Sequence, residues 1–201
     1  MSRDGSGHLR IVGGQWAGRT IEAPDGRGVT RPTTDRTRER IASMVLSSFG
    51  LDLSDVAVLD AFAGSGALGL EMLSRGAASC CFVDRDRDAA ARVRRNVRAL
   101  GADRRAHVTC GDVVCLAQAG TLWGAPYSLV LLDPPYAMDA ARVSGLVASL
   151  VENGLLAPRT RVLYERAADA PGLEVAGARL AKSKSHGITA VDLLIMEGAT
   201  A

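Results

Sequence analysis

The stretch VLDAFAGSGALGLEM, residues 58–72, decides how the rest of the chain is read. It opens apolar, reaches a carboxylate at Asp60, and then turns through glycines into a second apolar run. Gly64, Gly66 and Gly69 spell GxGxxG between an expected strand and an expected helix. Glycines at such a turn let the backbone come close to a ligand. Asp84 ends the next strand-like run about twenty residues on, where an acid can hold ribose hydroxyls.

Outward from that turn the chain alternates. Strands are expected at 56–62, 80–84, 107–110, 127–133 and 161–165. Helices are expected at 66–74, at 86–100, from Asp112, and at 139–152. Continuous apolar strands alternating with helices predict an α/β fold, a mostly parallel sheet covered on both faces. The tail predicts two strands, 173–180 and 189–196, around a KSKSHG loop, which puts an antiparallel element at one edge. The first 50 residues differ. HLRIVGGQWAGRTIEAP predicts a small hairpin, GRGVTRPTTDR a loop, and Thr34 or Asp35 the cap of a helix running to about Phe49. The expected organisation is an N-terminal appendage over 1–50 and the sheet domain over 51–201.

Composition bounds the possibilities. The chain has 201 residues, 47% hydrophobic and 23% charged, enough for one core that buries roughly 70% of the unfolded surface. No apolar run approaches the ~18 residues of a membrane span, and MSRDGSGHLR has no apolar signal core. Cys80, Cys81, Cys110 and Cys115 form no CxxC pair and are expected to be reduced core thiols. His8, His107 and His186 are too scattered to suggest a metal. A cytoplasmic protein without metal or membrane partner is expected. Net charge is only +2, yet residues 1–48 hold eight Arg against five acids and residues 85–105 eight Arg against three. Arginine forks suit phosphate, which makes nucleic acid a candidate partner. On 86–100 a solvated helix face explains Arg87, Arg94, Arg95 and Arg98 as well. Trp16 and Trp123 fit packing at least as well as base stacking, and His186 fits a solvent-facing turn.

The glycine turn alone fits a nicotinamide dinucleotide or S-adenosylmethionine. Asp60, directly before the loop, favours the second: it would repel a pyrophosphate and attract an ammonium. VLLDPPYAM, residues 130–138, favours it further. Strand tips line the crevice of an open α/β sheet, which places Asp133 in the site, and DPPY at 133–136 is the signature of amino-group methyltransferases. An exocyclic base amine is a weak nucleophile because its lone pair is delocalised into the ring. Hydrogen bonds from that amine to the Asp133 carboxylate and the Pro134 carbonyl would aim the lone pair at a sulfonium methyl. Pro135 stiffens the carbonyl direction and Tyr136 would stack on the base.

Residues 10–40, RIVGGQWAGRTIEAPDGRGVTRPTTDRTRER, with LDAFAGSGALGLEMLSRGA and LLDPPY, resemble the bacterial 16S rRNA guanine-N2 methyltransferases of the RsmD type. The resemblance implies the class I, Rossmann-like methyltransferase fold with a seven-stranded sheet and S-adenosyl-L-methionine as donor. It also implies one guanine of 16S rRNA, free or in the small ribosomal subunit, as substrate. It carries cofactor contact onto Asp60, Gly64, Ser65, Gly66, Asp84 and Asp112, the last beside the adenine. It carries catalysis onto Asp133, Pro134, Pro135 and Tyr136. Arg10, Arg19, Arg31 and Arg36 are candidates for holding RNA. Three positions depart from the family: RIASMVLSSF after RPTTDRTRE, Asp84 for the usual Glu, and His186 where an aromatic is common. The competing expectations are an amino-methyltransferase acting on DNA adenine or a protein side chain, a nicotinamide-dependent oxidoreductase, and a non-catalytic RNA-binding module.

Overall fold

The computed structural model describes residues 7–24, 35–135 and 137–197. A two-stranded antiparallel hairpin comes first, β1 (Gly7–Arg10) and β2 (Thr20–Ala23), joined through a 3-10 turn at Gly14–Trp16. Helix α1 (Asp35–Ser48) follows. The sheet domain then runs β3 (Ala57–Asp60), α2 (Ala67–Ser74), β4 (Ser79–Asp84), α3 (Arg87–Leu100) and β5 (Ala106–Cys110). It continues with α4 (Val113–Gln118), β6 (Tyr127–Leu132), α5 (Ala140–Glu152), β7 (Leu156–Ala167), β8 (Ala178–His186) and β9 (Thr189–Met196). The seven strands lie in the order β5-β4-β3-β6-β7-β9-β8. β5, β4, β3, β6 and β7 are parallel, and β9 is antiparallel to both β7 and β8.

The chain steps outward from β3 through β4 to β5, then crosses back to lay β6 on the other side of β3. A crevice opens where the winding reverses, at the carboxyl ends of β3 and β6. Alternate side chains of each strand feed two cores. One face carries Val58, Phe82, Leu129, Leu131 and Leu163 against α1, α2 and α3; the other carries Leu59, Cys81, Val130, Leu132 and Tyr164 against α4 and α5. Local signals end the helices as expected: Asp86 and Asp139 cap α3 and α5 through side-chain oxygens, and Gly101 closes α3 at φ +68.

Three expectations are corrected. The tail strand lies not at 173–180 but at Ala178–His186, so KSKS is inside β8 and only Gly187–Ile188 turn. An exposed edge strand alternates no apolar face, so its sequence looks like a loop. β7 begins five residues before 161 and carries in its first part an irregularity at which Arg159 adopts φ +58. Only Cys80 and Cys81 are core thiols; Cys110 and Cys115 are free and exposed at the end of β5 and on α4.

The N-terminal hairpin shares the core of the sheet domain. Ile11, Trp16 and Ile21 are buried in one cluster with Ile41, Leu70 and Val97. Glu71, fully buried on α2, accepts the backbone N–H of Val12 (2.9 Å) and of Gly13 (2.8 Å) and the Arg75 guanidinium (2.8 Å). Arg75 also reaches Glu39 on α1. Ser74 Oγ donates to the Gly13 carbonyl and accepts the Trp16 N–H. Gly14, at φ +77, sits so close that a Cβ there would overlap the Ser74 carbonyl. On the other side Asn96 of α3 donates to the carbonyl of Glu22 and to that of Ser65 (2.9 Å each). Through this one side chain the hairpin touches the glycine loop.

Candidate functional site

Four acids end neighbouring strands around the crevice: Asp84 on β4, Asp60 on β3, Asp133 just past β6 and Glu165 near the end of β7. Two are held by the backbone. The Gly64 N–H donates to Asp84 Oδ2 (2.8 Å) and the Asp86 N–H to Asp84 Oδ1 (2.9 Å). The glycine loop is thereby closed onto the acid, whose remaining lone pairs stay available to hydroxyl donors. The Gly69 N–H donates to Asp60 Oδ2 (3.0 Å) in a site with 4% exposure. Burial, with lesser contributions from the charges of Asp133 and Asp84, raises the Asp60 carboxyl to about 7.

The three glycines do three different things. Gly64 (φ +56) takes a conformation that L side chains rarely adopt, and a Cβ there would stand in open space. Gly66 (φ +77) caps α2. At Gly69 a Cβ would collide with the Phe82 ring and lie 2.8 Å from Cys80 Sγ and 2.9 Å from Asp60 Oδ2, so this glycine lets α2 lie close on β3 and β4. Ser65 is held by its carbonyl on Asn96. Asp112 caps α4, accepting from Val114 (2.8 Å) and more weakly from Cys115 (3.4 Å). It follows β5, two strands from the crevice.

The other two acids accept no hydrogen bond from a described residue. Asp133, Pro134, Pro135, Met138, Glu165 and Thr189 line one concavity of about 70 Å³. Asp133 is reached by solvent at its mouth, yet the protein around it pushes its carboxyl up to about 6. Glu165 Oε2 is buried and has no hydrogen-bond partner among the described residues; burial first, and the Asp133 charge second, push the Glu165 carboxyl up to about 8. The Pro135 carbonyl accepts the Met138 N–H (2.8 Å), which closes the turn after the motif. Tyr136 lies outside the described residues.

The structure brings Asp60, Gly64, Ser65, Gly66, Asp84, Asp133, Pro134 and Pro135 to one end of the sheet. It separates the arginines. Arg10 pairs with Asp35 (3.5 Å), Arg19 donates to the Ala99 carbonyl, and Arg36 is exposed on α1. Arg31 lies outside the described residues. Sequence reasoning missed Glu165, Glu71 and Asn96. Glu165 carried a usable signal, since like Asp60, Asp84 and Asp133 it closes an apolar strand. Glu71 and Asn96 sit within ordinary helical patterns and gave none. Arg38, in RPTTDRTRE, is fully buried, pairs with Asp35, and leaves Nε and Nη1 without a partner among the described residues. No group of three or more His, Cys, Asp or Glu among the described residues is placed to hold a metal.

Four acids favour a cationic ligand and disfavour a pyrophosphate, since Arg166, which also lines the concavity, is paired with Asp192. Comparison with known proteins agrees with the architecture. Residues 9–195 match the family described as Conserved hypothetical protein 95. The "Ribosomal RNA small subunit methyltransferase D" of Escherichia coli strain K12 is 38% identical over 164 residues, 82% of this chain and 77% of that protein. The solved yhhF protein of Escherichia coli is 30% identical and superposes with a TM-score of 0.76 over 95% of this chain and 99% of its own. The magnesium protoporphyrin IX methyltransferase of Synechocystis PCC 6803, solved with bound SAM, shares the fold at a TM-score of 0.61 and 17% identity, over 81% of this chain and 79% of that one. The resemblance carried by residues 10–40, the glycine turn and DPPY is thus a true kinship, and this chain belongs to the Conserved hypothetical protein 95 family.

Proposed function

We propose that the protein transfers a methyl group from S-adenosylmethionine to the exocyclic N2 amine of a guanine in small-subunit rRNA. The observation that carries this is the Asp133 carboxylate, which accepts no hydrogen bond from a described residue, beside the Pro134–Pro135 turn and one strand away from the acid-bound glycine loop. Kinship with the small-subunit methyltransferase D supports RNA as the substrate.

When bound, S-adenosylmethionine supplies an electrophilic methyl on a positively charged sulfur. Asp84 holds Gly64 and would accept from the ribose hydroxyls; Asp60 lies beside the loop, where an ammonium would favour its ionised form. Asp133 and the Pro134 carbonyl accept the two N–H bonds of the amine and orient its lone pair, and the proton lost from nitrogen passes to Asp133 or to water. Tyr136 stacks on the base. The base must be splayed out of its RNA to enter, at a cost of a few kcal/mol. The N-terminal hairpin and the segment after it, with Arg10, Arg19, Arg31 and Arg36, hold the surrounding phosphates while this happens.

The test is to incubate the protein with labelled S-adenosylmethionine and small-subunit RNA, free and assembled, from a strain lacking the modification, and to map the labelled base. Label on a guanine N2 is expected. Label on adenine, or on protein alone, would overturn the reading.

A further inference from the structure

Asp133 grips an amine, but an amine does not identify guanine, because adenine and cytosine carry one too. Something beside Asp133 must read the rest of the base edge. On the reading of this pocket as a guanine N2 site, we infer that Glu165 is the specificity residue: its carboxylate accepts the guanine N1–H while Asp133 accepts the adjacent N2–H.

The placement follows from the sheet. β6 and β7 are parallel, with Leu132 opposite Tyr164, so the next residues, Asp133 and Glu165, emerge side by side. Strand alternation puts both on the face that Leu131 and Leu163 share. Both line the same concavity with Pro134 and Pro135.

The chemistry follows from what Glu165 lacks. A carboxylate oxygen taken out of water without a donor is costly, and folded chains satisfy such groups. This chain does so for Glu71, which receives two amides and a guanidinium. It does so for Asp192, which receives Arg166 Nε (2.7 Å) and Ser183 Oγ (2.5 Å). Arg166 is the very next residue after Glu165, yet its guanidinium is committed to Asp192 and to the carbonyls of Ala167 and Ala170. Glu165 Oε2 is left without a partner among the described residues, and Glu165 lines the same concavity as Asp133. The crowding shows in both carboxyls, which are raised above the ordinary carboxylate range, Asp133 to about 6 and Glu165 to about 8. The Watson–Crick edge of guanine offers two donors, N1–H and N2–H, next to each other. Two adjacent carboxylates match that pair, Glu165 doing so in its ionised form, once its proton has left to solvent above about pH 8. Adenine and 2-aminopurine present an N1 lone pair instead, which a carboxylate opposes.

The experiment uses 2-aminopurine, which keeps the N2 amine and replaces the N1 donor by an acceptor. The methylated guanine is first mapped with the wild-type protein; small-subunit RNA is then ligated with guanine or 2-aminopurine at that nucleotide. At pH 8.5, where Glu165 is mostly ionised, the wild type is expected to favour guanine by about 100-fold or more in kcat/KM, the discrimination of a site that loses a buried hydrogen bond. Glu165→Gln offers an amide N–H to the N1 acceptor, and the preference is expected to fall below about tenfold, with S-adenosylhomocysteine affinity kept. Glu165→Ala, which removes the opposing charge and adds no donor, is expected to lose the preference too. A preference still near 100-fold in either folded variant overturns the role of Glu165. A wild-type label on any atom other than guanine N2 instead overturns the reading of the pocket, and is recognised at the mapping step before either variant is used.

Discussion

The carboxylates of this protein fall into two sets that differ in their partners. Glu71, Asp60 and Asp84, on α2, β3 and β4, each accept hydrogen bonds from the backbone. Asp133 and Glu165, at the ends of β6 and β7, are raised by burial with no hydrogen bond from a described residue to offset it. Folding has used the first set. The second has been left with capacity that a substrate can take up, and such perturbed, unpaired acids in a cleft mark functional sites. The lesson is that a strand-terminal acid is not a role: in this sheet the backbone occupies the acids that end β3 and β4, while those that end β6 and β7 keep their acceptors open.

The sharpest way to break the contrast is Asp133→Ala. Turnover is expected to fall by at least about 10²–10³-fold, the scale of losing one aligned transition-state contact, with cofactor affinity within about twofold of wild type. Isothermal calorimetry with S-adenosylhomocysteine beside a methyl-transfer assay separates the two. A loss of cofactor binding would move Asp133 into the cradle.

In the satisfied set the order reverses. Glu71→Ala strands the Val12 and Gly13 amides and the Arg75 guanidinium. It is expected to cost about 3–5 kcal/mol of folding stability, read by chemical denaturation. The same contacts change what removal of residues 1–24 should do. An appendage would leave the fold intact, but Ile11, Trp16 and Ile21 belong to the common core, and Asn96 ties the hairpin to Ser65. The truncated protein is therefore expected to melt earlier and to hold the cofactor less well, besides losing RNA methylation. An unchanged melting temperature would return the hairpin to the status of an appendage.

Asp84→Ala lies between the halves in magnitude. It is expected to weaken cofactor binding by about 1.5–3 kcal/mol, roughly 10- to 150-fold, because ribose contacts go and the Gly64 amide is released. Calorimetry at wild-type affinity would remove Asp84 from the site.

The smallest effect is a slope in pH. Glu165 holds its proton up to about pH 8, whereas an unfolded glutamate releases it near 4.3. Between those values the folded state binds more protons, so this group's stabilising contribution is whole below about pH 4 and is lost as pH rises to about 8. Asp60 and Asp133 act in the same direction up to about 7 and about 6. Glu165→Gln should therefore flatten, not abolish, the fall in melting temperature between pH 5 and 8.5. An identical slope in the variant would show that Glu165 already has a partner.

The parallel sheet, the glycine turn and the strand-terminal Asp60, Asp84 and Asp133 were legible in the sequence, because each is written in a local pattern: apolar runs, turn residues and an acid where a strand stops. Boundaries slipped where local pattern and environment part company, as in the exposed β8, whose KSKS looks like a loop. What only the tertiary structure decided is which acids are paired. Glu71 finds its amides 58 and 59 residues away, Asn96 links segments 31 and 74 residues distant, and Glu165 meets Asp133 only because β7 lies beside β6. No window of sequence contains these partners. Whether a carboxylate stabilises the fold or waits for a ligand depends on the donors around it, and those are assembled by chain crossings and not by neighbours along the chain.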